Sequence, residues 1–365
     1  MARIRVDIPG ERTYDVVAGK GCLASIGNEL VRLGVQSQVM IITDTEVAKR
    51  YLFVVKESLE QSGYRVSVVT VPSGESAKSI ACAAELWNAM ADCGLSRDSV
   101  VVALGGGVVG DLAGFAASTF MRGLRVVQVP TTLLSMVDSS VGGKTAINLD
   151  AGKNMVGTFC QPLLVCADVE ALQSLPEREW ICGCGEIAKS AVIDSEEFFF
   201  WLSYHAQDLK DRIPEVVQEA IERCITFKAS VVVRDKAETA GIRECLNYGH
   251  TLAHAIEAYS GYGVYSHGAA VAEGMRFAAR LSAGLGKADV SFVQAQDQVL
   301  DALGFSPIHL SSTVDEVLSL MKRDKKVCNG VLRFVLPQNC GAWEVFELPD
   351  ATVQEYVRAW LTSGA

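Results

Sequence analysis

The chain has 365 residues, with Lys+Arg 33 against Asp+Glu 43 and a formal net charge of −10. Its 49% hydrophobic and 21% charged residues match a folded globular protein of roughly two domains, which excludes disorder and collagen-like repeats. An acidic chain has no general pull on nucleic acid or anionic membrane, so neither is expected as a partner, and any anionic ligand must be held by local cations.

The N-terminus MARIRVDIPGERTYD is charged throughout, unlike a secretory signal. Residues 3–8 and 13–17 predict a short β-hairpin. Strand and helix then alternate: strand Val39–Thr43 and a helical segment from Glu46, strand Tyr64–Val71 and a helix near Ala77–Cys93. Strand Ser99–Leu104 precedes a helix near Val109–Met121, and strand Arg125–Val129 is stopped by Pro130. Continuous apolar strands alternating with helices predict a parallel sheet covered on both faces. Around Leu175-Pro176 strands largely disappear. Ile187–Leu202, Pro214–Val233, Thr251–Ala258, Ala269–Ser282 and Val290–Leu303 carry helical periodicity, and Val331–Leu336 reads as one late strand. The expected domains are therefore 1–174, α/β, and 175–365, mostly α-helical, packed closely enough to leave a cleft. The 11 cysteines are scattered. They read as free thiols of a reducing cytosol, and Cys182-Gly183-Cys184, lacking CxxC spacing, as packing residues.

Gly105-Gly106-Gly107-Val108-Val109-Gly110-Asp111 fits G-x-G-x-x-G between a strand and a helix, the context in which a backbone approaches a pyrophosphate. The loop lies far from the first βα unit, and Arg125 and Gln128 occupy the region where an acidic residue would follow. It is therefore either a non-standard nucleotide loop or a tight structural turn. Gly143-Lys144-Thr145 lacks the glycine of a phosphate-binding P-loop, because Asp138 stands there. Lys144 either meets an anion or is solvated.

Of the 5 histidines, His250, His254 and His267 lie close together in the chain. His250 and His254 are four apart on a predicted helix and share a face. His267 follows Ser266, a predicted N-cap, where a protonated imidazole is disfavoured. Two imidazoles and one carboxylate would leave a fourth metal position open. Glu186 is the candidate carboxylate, although Glu186 and Lys189 also fit an ordinary i, i+3 ion pair. In the helix Pro214–Val233, Lys228 sits on the apolar stripe of Val217, Ile221, Cys224 and Val231, so it either snorkels or meets an anion.

Together the runs GGGVVGDLAGFAASTFMRG (Gly105–Gly123), VPTTLLSMVDSSVGGKTAIN (Val129–Asn148), GKNMVGTF, GEIAKSAVI, LNYGHTLAHAIEA, SHGAAVAEGM and DKK (Asp324–Lys326) resemble the 3-dehydroquinate synthase family of sugar-phosphate cyclases. The resemblance covers nearly the whole chain. It implies a dehydroquinate synthase-like fold: a Rossmann-like parallel sheet followed by a helical metal-binding domain. It implies Glu186, His250 and His267 as ligands of zinc or cobalt. NAD would lie along Asp44, Glu46, Lys49, Ser73, Gly74, Glu75, Lys78, Gly106, Gly107, Val108, Val109, Gly110, Asp111, Thr131, Thr132, Lys144, Lys153 and Ser174. Substrate would be held by Asp138, Lys144, Asn154, Lys189, Lys228, Arg243, Asn247, His254 and Lys325, with Arg122 reaching a neighbouring subunit's substrate in a cytoplasmic homodimer. Lys189, His254, Asp138, Lys144, Arg243 and Asn247 would serve catalysis.

The implied reaction turns 3-deoxy-D-arabino-heptulosonate 7-phosphate into 3-dehydroquinate and phosphate without net redox change, a step of the shikimate pathway. Two departures from the family pattern are Ser174, commonly threonine, and one extra residue between Lys228 and Arg243, with Asp235-Lys236 in place of Asp-Glu. Three rival readings are a cyclase acting on a heptulose 7-phosphate or glucose 6-phosphate, a metal-dependent polyol dehydrogenase, and a non-catalytic regulator.

Overall fold

A computed structural model describes residues 1–236, 238–261, 263–322 and 331–362. Lys325 and the rest of the Asp324–Lys326 run lie outside the described residues. The chain divides into two compact units, Met1–Leu175 with Ile221–Ala237, and Pro176–Ala220 with Glu238–Ala365.

In the first unit, β1 (Ala2–Val6) and β2 (Tyr14–Gly19) form the expected antiparallel hairpin. After α1 (Cys22–Arg32) come β3 (Val39–Asp44), the short α2 (Thr45–Val47), α3 (Phe53–Gln61), β4 (Val66–Val71) and α4 (Ile80–Asp92). Then follow β5 (Val100–Gly105), α5 (Gly107–Thr119), β6 (Arg125–Pro130), the hairpin β7 (Lys144–Leu149) and β8 (Gly152–Phe159), and β9 (Leu164–Asp168). The main sheet has 7 strands in the order β1-β2-β9-β6-β5-β3-β4, parallel except at β1.

The apolar strands explain the double cover. Ile41, Val100, Val102 and Leu104 pack with Ile26 and Leu30 of α1 and Val55 and Leu59 of α3. Their alternating neighbours Met40, Ile42, Val101 and Ala103 pack with Leu86 and Met90 of α4 and Leu112 and Phe115 of α5. Strands β7, β8 and β9 go beyond the expected elements. The hairpin β7–β8 is half polar and rich in glycine, which masks its period of two. Strand β9 inserts between β2 and β6, so the N-terminal hairpin joins the main sheet.

In the second unit, α6 (Glu177–Asp194) and α7 (Glu196–Lys210) replace the single helix expected over Ile187–Leu202. The break is Ser195, which is extended and accepts the Phe198 amide at 3.2 Å as the N-cap of α7. Helix α8 (Pro214–Arg234) crosses from this unit into the first at Ile221. Then come α9 (His250–Ser260), α10 (His267–Gly284), α11 (Val290–Ala302), α12 (Val314–Lys322), the antiparallel pair β10 (Leu332–Asn339) and β11 (Ala342–Leu348), and α13 (Asp350–Thr362). Helices α12 and α13 and strand β11 were not among the expected elements. The start of α12 did carry a signal: Thr313 and Glu316 cap each other's backbone, with Glu316 Oε2 2.8 Å from the Thr313 amide. No helix among the described residues is long and apolar enough to cross a membrane.

Candidate functional site

Two glycine contacts bring three helices of the second unit together. A Cβ on Gly185 would stand 2.5 Å from the Gly268 carbonyl oxygen, so α6 and α10 touch backbone to backbone. A Cβ on Gly274 would stand 1.8 Å from the Gly249 carbonyl oxygen, which fixes α10 against the start of α9. Each glycine flanks a polar side chain, and Glu186, His250 and His267 therefore converge. Their donor atoms all lie within 4.8 Å of one another.

Glu186 is 1% exposed, and its Oε1 has no hydrogen-bond partner among the described residues. Oε1 faces His267 Nε2 at 3.3 Å and His250 Nε2 at 3.6 Å, while Oε2 is paired with Lys189 Nζ. Two ligands at tetrahedral positions about 2.0–2.1 Å from one ion stand about 3.3 Å apart, so the donors already have metal-site spacing. The other ring nitrogens are tied down. His250 Nδ1 lies 3.1 Å from the Tyr248 carbonyl, and His267 Nδ1 lies 3.2 Å from Glu257 Oε2. With Nδ1 protonated on each ring, loss of the Nε2 proton would free both Nε2 lone pairs for an ion bound beside Glu186.

Burial alone would raise the Glu186 pKa, but Lys189 and His267 outweigh it and hold the carboxyl at about 2. Burial likewise lowers His267, yet Glu186 and Glu257 hold this imidazole at about 10. The carboxylates thus override the helix N-terminus that argued for a neutral ring. Glu186 and Lys189 form the ion pair that their spacing allowed, and the other oxygen of the acid faces the imidazoles.

His254 joins the cluster, its ring 5.5 Å from that of His250 and 6.3 Å from that of His267. Arg243, buried, and Asn247 lie in the 3₁₀ turn Ile242–Asn247, where Arg243 Nε is 3.4 Å from Glu238 Oε1. Sequence reasoning missed Tyr248 and Glu257. Glu257 had a signal, standing seven residues after His250 and three after His254 on the same helical face. The Tyr248 contact is made by a backbone carbonyl and had none.

The first unit gathers the expected dinucleotide residues at the carboxyl ends of its parallel strands. Asp44 ends β3, Ser73 and Gly74 follow β4, Gly106 follows β5, and Thr131 and Thr132 follow β6. The chain runs from β3 outward to β4 and then back across β3 to β5. The glycine loop, third in sequence, thus stands at the point where strand order reverses, which is where open α/β sheets bind ligands. Gly106 opens α5, and a Cβ there would lie 2.9 Å from Thr132 Cγ2. Thr131 Oγ1 is buried with no hydrogen-bond partner among the described residues.

Other residues of the expected set are engaged with protein partners. Asp44 caps α2 through the amides of Glu46 and Val47, and exposed Lys49 is 2.6 Å from Glu46 Oε1. Ser174 Oγ lies 2.6 Å from Tyr51 Oη. Lys78 is 5% exposed, 2.7 Å from Asp111 Oδ2, 3.8 Å from Glu75 Oε1, and also hydrogen-bonded to Asn154. That network places Asn154, expected among the substrate residues, beside the dinucleotide set.

Lys144 is exposed at the start of β7, and Lys153 is half-buried on β8. Lys228 meets an anion: its Nζ lies 2.6 Å from both Asp138 Oδ1 and the Asp138 carbonyl, inside the first unit. Arg122 is exposed, at φ 69°, beside Met121 at φ 49°. Two successive left-handed residues make this a strained turn that presents the guanidinium outward.

The sequence profile of the 3-dehydroquinate synthase N-terminal region matches residues 68–182, and that of the C-terminal region matches residues 183–327. The chain belongs to the 3-dehydroquinate synthase family. Among curated relatives, the 3-dehydroquinate synthase of Rhodopirellula baltica is 47% identical over 338 residues, 91% of this chain and 90% of that protein. That of Desulforamulus reducens is 43% identical over 95% of this chain and 96% of its own length.

Among solved structures, a 2-deoxy-scyllo-inosose synthase with carbaglucose-6-phosphate, NAD+ and Co2+ superposes with a TM-score of 0.89. It is 26% identical and covers 98% of this chain and 100% of its own. The 2-epi-5-epi-valiolone synthase of Streptomyces hygroscopicus, with NAD+ and Zn2+, gives 0.87 at 25% identity, covering 98% and 99%. These likenesses bear out the expected fold class. A probable glycerol dehydrogenase of Sinorhizobium meliloti, at 15% identity and a TM-score of 0.60 over 95% of this chain and 96% of its own, shares the fold alone.

Proposed function

We propose that this chain converts 3-deoxy-D-arabino-heptulosonate 7-phosphate into 3-dehydroquinate and inorganic phosphate, using NAD that ends each turnover unchanged and a divalent ion, zinc or cobalt. The observation that carries the reading is the cluster of Glu186, His250 and His267. Among the described residues it offers a buried acid oxygen without a hydrogen bond, two imidazoles with oriented Nε2 atoms, and three protein ligands. A three-ligand site leaves a position for substrate, as catalytic sites do, and an N, N, O donor set suits zinc or cobalt. The glycine-lined helix start and the unpartnered hydroxyl of Thr131 suit a dinucleotide pyrophosphate.

When bound, NAD supplies a reversible hydride acceptor and the metal a Lewis acid for vicinal substrate oxygens. The chain's own residues bind, orient and move protons. Lys144, Lys189, Lys228, Arg243 and Lys325 neutralise the carboxylate and phosphate of the substrate, where fixed cations need no reorganisation during reaction. Asp138, Asn154 and Asn247 orient hydroxyl groups. His254, beside the two ligand imidazoles, transfers protons. The chain works as a cytoplasmic homodimer in which Arg122, on its strained outward turn, reaches the neighbour's substrate.

A second reading, a cyclase for a heptulose 7-phosphate or glucose 6-phosphate, draws on the fold likeness to the two solved cyclases. Those substrates lack the carboxylate that the buried cations Lys228 and Arg243 suit. A substrate panel with NAD and Co2+ separates the readings. The proposal expects phosphate release from the heptulosonate phosphate and none from sedoheptulose 7-phosphate or glucose 6-phosphate; the reverse pattern would overturn it.

A further inference from the structure

The two imidazoles of the cluster are oriented by different kinds of acceptor. His250 Nδ1 faces a neutral backbone carbonyl at 3.1 Å, whereas His267 Nδ1 faces the carboxylate of Glu257 at 3.2 Å. The Glu257 side chain is 12% exposed and projects from the face of α9 that also carries His250 and His254. From this geometry we infer that Glu257 is a positioning residue: its carboxylate accepts a hydrogen bond from His267 Nδ1–H, fixes the ring's tautomer and rotation, and so aims Nε2 at the point where Glu186 and His250 meet. The inference rests on the metal reading of the cluster.

The physical grounds are three. His267 is the first residue of α10 and its side chain is 28% exposed, so packing encloses only part of the ring and a polar partner adds to its restraint. A charge-assisted hydrogen bond is about twice as strong as a neutral one, so Glu257 supplies more restraint than a carbonyl could. An anionic acceptor also makes the ring a more basic donor to a cation, and loss of such partners typically weakens metal binding about 10–100-fold. Helix α9 thus contributes both a ligand, His250, and the group that aims a ligand held on α10.

The test is Co2+ affinity of the full-length protein, measured by competition with a chromophoric chelator, together with the visible d–d spectrum of the cobalt form. Glu257→Leu is expected to weaken Co2+ binding about 10–100-fold and to shift the d–d bands, with the circular dichroism of the metal-free protein unchanged. Glu257→Gln, whose amide oxygen accepts the same proton without a charge, is expected to recover the wild-type spectrum and part of the affinity. Wild-type affinity and spectrum in Glu257→Leu would overturn the inference while leaving the metal reading intact. Should the leucine variant not fold, the glutamine variant decides: a loss of at least about threefold supports the role, and no loss overturns it. Failure of the wild-type protein to take up Co2+ at one equivalent, or full uptake by Glu186→Ala, would overturn the metal reading and this inference with it.

Discussion

The sheet edge of the first unit and the acid–imidazole cluster of the second are built by opposite means. At the sheet edge, side chains are withheld: Gly106 leaves a gap that a Cβ would close against Thr132, and the groups proposed to bind are backbone amides at a helix start. In the cluster, glycines bring helix backbones together so that charged side chains can be buried next to one another, with Glu186 and Lys189 both almost fully enclosed. On the proposed reading, the first design would bind by shape and the dipole of a helix. The second would bind by charges whose placement depends on three separate helices, so single substitutions there should cost more.

Glu186→Ala should break the second site without touching the first. Phosphate release is expected to be abolished and the bound metal lost, while NADH affinity, read by fluorescence titration, stays within about twofold, because no ligand of the sheet edge is altered. An equal fall in NADH affinity would mean that the two regions are not separable. Next in size is Lys78→Met. It leaves Asp111, whose pKa burial already raises against the pull of Lys78, without its 2.7 Å cation. A loss of about 3 kcal/mol in urea unfolding is expected, and Asp111→Asn in the same chain should recover part of it.

Gly106→Val should weaken NADH binding at least tenfold, about 1.4 kcal/mol, with Co2+ affinity unchanged, since only the shape-based site loses room. Smallest is Ser266→Ala. Its hydroxyl accepts the Ala269 amide at 3.3 Å at the start of α10, so about 1 kcal/mol of stability should be lost, read by thermal unfolding of the metal-free protein.

The same contrast governs how much was legible beforehand. The glycine loop is one contiguous motif between a strand and a helix, so residues 105–111 could be singled out, although they fit a nucleotide loop and a tight structural turn alike. Its position at the reversal of strand order was not legible, because that depends on β5 pairing with β3 rather than with β4. The cluster is scattered over residues 186–267, so spacing could offer His250 and His254 as a pair but could not decide between a metal ligand and an ion pair for Glu186. Lys228 stood out as a lysine on an apolar stripe, but spacing could not decide between snorkelling and an anion; the half-buried Asp138 is the anion it meets. Ser195 went unread because a single extended residue inside a helical period leaves almost no compositional trace. Strand β9 was hidden for a related reason: LVCAD is a short apolar run whose role appears only when it inserts between two strands distant in sequence.

The central claim is that an NAD-requiring, metal-dependent cyclisation occurs with no net transfer of electrons. Proton NMR of the purified protein with NAD, Co2+ and 3-deoxy-D-arabino-heptulosonate 7-phosphate, with absorbance followed in parallel, tests it most directly. One 3-dehydroquinate should form per phosphate released, with no growth of the NADH band beyond the enzyme concentration. Sustained NADH accumulation in step with turnover, or an unchanged substrate spectrum, would contradict the account.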